Sequence, residues 1–304
     1  MRNKFADKIY ELGKINKNIA VVVADISPAG SIFKFREEFP DRFINCGVAE
    51  QAMIGISAGL ALNGFRPFCY TIATFALYRP FEMVRIDLGY HNLPVTIIGM
   101  GAGIIYHTLG STHHSMEDIS IASSIPNMNV ICPADPFEME KVIEWCATKS
   151  IGPTYIRLGK KGEENFSDKK DDFEIGKIRY LKKGIDIAII VYGILVKKSF
   201  EICDELNKKG FSVSVISCHT IKPLDKNGIL KVLKSHKKTI IMEEHVPHGG
   251  LSSRIKEIIC DEKITPDVRF YTLKDKFIKL YGSYDELLRL HGIEVSQIVN
   301  DTLK

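Results

Sequence analysis

The sequence predicts an α/β fold of two domains, each a mostly parallel sheet with helices on both faces. Three observations predict it. Short apolar runs at 19–24, 94–100 and 187–192 read as strands buried on both faces. Segments of helical length separate them, the alternation of βαβ units. Between 160 and 176 the chain becomes charged and aperiodic, after which the alternation restarts, as at an interdomain linker. The expected division is therefore a first domain over 1–162, a linker over 163–176 and a second domain over 177–304. A length of 304 residues accommodates two domains of ordinary size.

Composition narrows the function classes. With 45% hydrophobic and 26% charged residues the chain has the balance of a globular protein. A net charge of +4 is too small to argue for nucleic acid, and Lys160-Lys161 and Lys237-Lys238 read as solvated surface. The N-terminal MRNKFADKIYELGK lacks the apolar core of a signal peptide. The best apolar run, 94–105, falls short of a membrane span and contains three glycines. Seven scattered cysteines without a CxxC read as buried thiols of a reducing compartment, so a cytoplasmic location is expected.

Taken in order, 4–13 is expected to be a helix with Phe5, Ile9 and Leu12 on one face and Gly13 as its stop. The strand at 19–24 ends in Asp25 and a turn, 27–30. Ligands collect beyond the carboxyl ends of such strands, so Asp25 is placed either as a site residue or as a cap. After a short strand at 43–45 comes NCGVAEQAMIGISAGLALN, 45–63. Ala49, Met53, Ile56 and Leu60 give this helix an apolar stripe, and Gly55, Ser57, Ala58 and Gly59 allow close approach of another backbone. Its one carboxylate, Glu50, is either a solvated N-terminal residue or a buried working acid. A strand at 67–71 precedes a helix at 75–89 with Pro80 in its first turns. Arg79, Glu82 and Arg85 on that helix read as a salt-bridge row or a subunit contact. A strand at 94–100 leads into a loop, 101–115, rich in Gly, Ser, Thr and His and hence expected to be functional. Strands at 130–132 and 154–156 bracket a helix at 137–148. The second domain has expected strands at 187–192, 211–217, 239–242 and 268–273, and helices at 195–209 and 251–260. Gly249-Gly250 opens the last helix, whose backbone N–H groups could hold an anion. His245 and His248 read as surface or interface residues.

Ala24-Asp25, GVAEQ at 47–51, TIATFALYRPFEMVR at 71–85, GSTHHSMED at 110–118, IPNMNVICPAD and YIRLG stand together in one order. In that combination the chain resembles the transketolase family, closely over 1 to about 160 and more loosely beyond. The likeness is to the C-terminal section, the pyrimidine-binding and C-terminal domains, of enzymes split over two chains. The resemblance implies thiamine diphosphate bound between a pyrimidine domain and a diphosphate domain, and transfer of a two-carbon ketol unit. It implies that Glu50 faces the pyrimidine N1' and drives the proton exchange needed before the thiazolium C2 can act. By the same resemblance Phe75 stacks on the aminopyrimidine with Tyr78 nearby, Ile72 packs the ring edge, and Asp25 and Ile26 lie beside the cofactor. His113 contacts the donor's oxygen and assists proton transfer, with His107 and His114 as neighbours. Arg2 and Arg157 hold the substrate phosphate.

The chain also departs from the family. Gly101, Ala29 and Leu109 stand where transketolases carry a histidine, a serine and an aspartate that read the sugar phosphate, although Ser27 or Ser31 could replace the serine. A non-standard sugar is the expectation. No GDG followed by Asn is present, so Mg²⁺ and diphosphate ligands are expected on a partner, an N-terminal-section subunit, in an α2β2 assembly. The alternatives are the β subunit of a 2-oxo acid dehydrogenase and a non-catalytic partner subunit.

Overall fold

Five consecutive buried apolar residues, Ile19–Val23, form β1, the strand around which the first sheet is laid. In the computed structural model, which describes residues 1–26, 32–160, 163–168 and 172–304, β1 pairs in parallel with β2 (Phe43–Asn45) and β3 (Arg66–Ile72). Parallel pairing continues from β3 to β4 (Thr96–Met100), then to β6 (Thr154–Leu158) and β5 (Asn129–Ile131). Helices α1 (Arg2–Ile15), α2 (Ile32–Glu38) and α7 (Pro136–Thr148) cover one face. Helices α3 (Glu50–Leu62), α4 (Ala73–Leu77) and α6 (Asp118–Ser124) cover the other. Such two-sided cover is what uninterrupted apolar strands require.

The second sheet runs β12–β11–β8–β9–β7, from β7 (Arg179–Lys182), β8 (Ile187–Val191), β9 (Val213–Ser217), β11 (Lys238–Met242) and β12 (Val268–Tyr271). It is parallel except for β7, which pairs antiparallel with β9. Around it lie α8 (Val196–Lys208), α9 (Lys226–Ser235), α10 (Leu251–Asp261), α11 (Tyr284–Leu290) and α12 (Val295–Leu303). The two sheets are not independent. β10 (Thr220–Lys222) leaves the second half of the chain and pairs antiparallel with β5, as an edge strand of the first sheet. One apolar cluster accordingly joins Val22, Ile97 and Tyr155 to Ile190, Ile241 and Ile255.

Several expectations are corrected. α1 runs through Gly13 to Ile15, because the glycine serves close packing: a Cβ there would strike the Phe35 ring. The helix expected at 75–89 is broken. α4 stops at Leu77, and after the turn at Pro80 a short α5 (Phe81–Met83) continues as a π-helical stretch, Val84–Tyr90. A proline has no N–H for the helical ladder, so the helix breaks there. The buried face of α3 is Glu50, Met53, Ile54, Ser57, Ala58 and Ala61, whereas Ile56 is exposed. Both flanks of this helix are apolar, so its period alone could not choose between them. Five cysteines are buried, Cys46 is half-buried and Cys260 is exposed. His245 is fully buried, its Nε2 accepting from the Ser120 N–H at 3.3 Å, whereas His248 lies at the surface.

The described part of 160–176 is pinned rather than loose. The Met1 ammonium meets Glu163 at 2.7 Å, Asp135 accepts from the Phe166 N–H and the Ser167 hydroxyl, and Phe173 stacks on His219 at 4.3 Å. His219 is buried with Nε2 unbonded, and burial pushes its pKa down to about 3. Its folded value lies below the ordinary histidine value near 6.5, so acid favours the unfolded chain: this contribution is complete above pH ~6.5 and falls as pH descends towards 3. Urea unfolding of wild type and His219→Gln at pH 7 and pH 5 measures it. The wild type is expected to lose about 2 kcal/mol more than the variant over that interval.

Candidate active site

The carboxyl end of β1 and the start of α3 meet at one side chain. Asn45 Oδ1 accepts from the Asp25 N–H at 3.1 Å and from the Gly47 N–H at 3.0 Å. That amide fixes Asp25, exposed and at φ +44°, next to the turn that launches α3. Ile26 is half-buried beside it. The turn with Ser27, Ala29 and Ser31 lies outside the described residues.

Glu50 is the first residue of α3 and only 4% exposed. A carboxylate there gains from the helix dipole but loses its water. Its ion partner is Arg79, whose Nη1 donates to Oε2 at 2.9 Å from a half-exposed side chain. Arg79 stands in the turn forced by Pro80, so it faces α3 instead of continuing the expected row with Glu82 and Arg85. The same guanidinium lies 4.5 Å from the centre of the Phe75 ring. Phe75 in turn meets the His113 ring edge-on at 5.4 Å, and Tyr106 approaches His113 from a second side at 5.9 Å. Glu50, Phe75 and His113 are therefore linked through direct contacts, with Arg79 and Tyr106 as members that periodicity does not reveal. Ile72 ends β3 half-buried, immediately before α4.

Other expected site residues are engaged elsewhere. Tyr78 donates to Glu117 Oε2 at 2.8 Å, and burial pushes its phenol well up, so it anchors the loop as a neutral donor. Arg157 lies in the interior. It is 5% exposed, its Nε donates to both Asp118 oxygens at 2.9 and 3.1 Å, and its Nη2 donates to the Ser115 and Glu244 carbonyls. Burial alone would lower its pKa, but Asp118 overrides burial and holds the guanidinium well above its usual value. These partners engage its Nε and Nη2 groups within the chain. Arg2 lies half-buried in the first turn of α1, with its Nε buried and unbonded. The N-terminus of α10 is also taken: Glu243 accepts from the Leu251 and Ser252 N–H groups at 2.8 and 2.9 Å, so an outside anion has no vacancy there.

The loop from 101 to 115 is held by the second half of the chain. Glu244 Oε1 accepts from the Ile104 N–H at 2.7 Å, and Ser111 donates to the Ile278 carbonyl at 2.6 Å. His107 Nδ1 lies 2.7 Å from the Gly282 carbonyl, and His114 is buried with both ring nitrogens unbonded, its pKa pushed down by burial. Gly101 sits at φ +70° with the Tyr106 ring occupying the space a side chain would need. Leu109 is exposed. Among the described residues no three His, Cys, Asp or Glu side chains could together hold a metal ion, and no helix is long and apolar enough to cross a membrane.

Residues 1–162 match the family described as "Transketolase, pyrimidine binding domain", and 176–298 match "Transketolase, C-terminal domain". The chain is 32% identical over 302 residues to one of the subunits of the apulose-4-phosphate transketolase of Actinobacillus succinogenes, covering 99% of this chain and 96% of that one. It is 35% identical over 300 residues to a putative transketolase C-terminal section of Methanocaldococcus jannaschii, covering 98% and 93%. A solved structure described as "Split gene transketolase, inactive beta4 tetramer" superposes with a TM-score of 0.86 at 31% identity, covering 98% of this chain and 95% of that one.

Removing Arg157 leaves Asp118, fully buried, without its counter-charge. Arg157→Leu is expected to cost about 3–5 kcal/mol in urea unfolding. A stability near wild type would contradict the interior role given to this arginine.

Proposed function

The chain belongs to the transketolase family, and on that premise we propose that it is the C-terminal subunit of a two-chain, thiamine-diphosphate-dependent enzyme. It would transfer a two-carbon ketol unit from a ketose or ketose phosphate to an aldehyde or keto acceptor. The observation that carries this reading is the buried Glu50 carboxylate linked through Arg79 to Phe75, with the His113 ring on the far edge of Phe75. A carboxyl group beside an aromatic face fits an aminopyrimidine, which needs one ring to stack on and one carboxyl to share a proton. When bound, thiamine diphosphate supplies the carbon acid of the reaction. Glu50 holds the proton at N1', Phe75 orients the ring, and Ile72, Asp25 and Ile26 line its surroundings. His113 stands where a donor hydroxyl or carbonyl oxygen would be met, and a histidine suits proton transfer near neutral pH.

We place the domain boundary at 163–176. Mg²⁺ and the diphosphate fall to a partner subunit in an α2β2 enzyme of the cytoplasm. The outward face of α3 supports assembly: Ala52, Gly55, Ile56 and Gly59 are exposed, and nothing lies within 4 Å of a Cβ built at either glycine. Substrate phosphate, where present, is left to Arg2. The aromatic filling beside Gly101 and the exposed Leu109 support a donor other than the common pentose phosphates. A role in specialised sugar metabolism follows, in keeping with a relative named for apulose 4-phosphate.

Reconstitution with a chain carrying the diphosphate-binding domain, followed by a screen of ketose donors and aldehyde acceptors, tests the reading. Ketol transfer is expected in the mixture and in neither chain alone. Glu50→Ala should lower it at least ~100-fold, and His113→Ala by roughly 10- to 100-fold, both with folding intact by circular dichroism. Activity unaffected by Glu50→Ala would favour a non-catalytic role. Oxidation of a 2-oxo acid would favour the dehydrogenase alternative.

A further inference from the structure

We propose that Arg79 is a placeholder for the cofactor's aminopyrimidine, a positioning residue that holds Glu50 and Phe75 in the free chain and is expelled when the cofactor enters. The inference rests on the reading of this site given above and goes beyond it.

Its basis is a match of shape and contacts. A guanidinium is flat, delocalised and edged with N–H donors. Arg79 donates one of them to Glu50 Oε2 at 2.9 Å while lying 4.5 Å from the Phe75 ring centre. Those are the two contacts an aminopyrimidine would make, a proton shared with the carboxyl group and stacking against an aromatic face. One planar group already makes both, so a second cannot take them while the first remains.

Arg79 is also built to leave. Its side chain is half exposed although the carboxylate it reaches is 5% exposed, so it enters the site from solvent. It sits in the turn between α4 and α5, directly before Pro80, where side-chain rotation disrupts no helical hydrogen bond. While in place it supplies the counter-charge that a buried carboxylate requires and keeps the Phe75 ring covered. The placeholder thus favours the folded free chain and opposes cofactor binding, and these two effects have opposite signs.

Arg79→Met, which keeps the apolar stem and removes the cation, separates them, and Arg79→Lys keeps the charge without the planar fork. Thiamine diphosphate with Mg²⁺ is titrated calorimetrically into the assembled two-chain complex, and thermal unfolding is recorded on this chain alone. The expected result is a lower unfolding temperature for Arg79→Met together with cofactor binding about three- to tenfold tighter, the scale of one half-exposed ion pair plus one cation–π contact. Arg79→Lys is expected to bind tighter than wild type with a smaller loss of unfolding temperature. Unchanged or weaker cofactor binding in both variants, with wild type binding normally, overturns the placeholder and leaves the proposed function standing. A wild-type complex that binds no thiamine diphosphate removes both.

Discussion

A carboxylate withdrawn from water is the constraint on which the rest of this structure turns. Glu50 could be solvated at the head of α3 at little cost, yet the chain buries it and meets it with an arginine drawn in from the surface. Burying a charge is unfavourable unless it is paired. Its neighbours follow from keeping it there. Asn45 ties the end of β1 to the turn before α3, and Pro80 ends α4 so that Arg79 turns inward. Phe75 and His113 then meet edge to face on the same flank.

The second half of the chain takes part in this arrangement. Its Glu244, Ile278 and Gly282 hold the loop that carries His113. Its β10 extends the first sheet, and the Glu244 carbonyl shares Arg157 with Asp118 of α6. A loop rich in glycine and serine would otherwise have to lose considerable conformational freedom to present an imidazole in one place. Contacts from outside the loop supply that order. The residues that the resemblance assigns to the site all lie in the first domain, so it does not anticipate this positioning.

Elements with a strong period are legible in the sequence. The buried strands β1, β4 and β8 and the helices α7 and α8 fall within a few residues of their expected places. What is not legible depends on tertiary context. β10 is three residues long and belongs to a sheet formed earlier in the chain. The helices α6, α9, α11 and α12 have no counterpart among the expected elements, although α9 and α12 carry an apolar face as marked as that of α8. Asp118 ends the string GSTHHSMED, but nothing in that string says that it will neutralise Arg157. Glu50, Phe75 and His113 follow from their motifs. Arg79 reads as part of a surface row because a helix through Pro80 would point it outward. His245 reads as a surface residue although it is buried, since no local pattern reports the partner waiting at Ser120.

The central claim is that this chain carries one half of a cofactor site, organised around Glu50 and completed by another polypeptide. Calorimetric titration of thiamine diphosphate and Mg²⁺ into this chain, into the chain bearing the diphosphate-binding domain, and into their mixture tests it most directly. The account predicts saturable, stoichiometric binding in the mixture, and none in this chain alone at comparable concentrations. Equally tight binding by this chain alone, or no binding by the mixture, would contradict it.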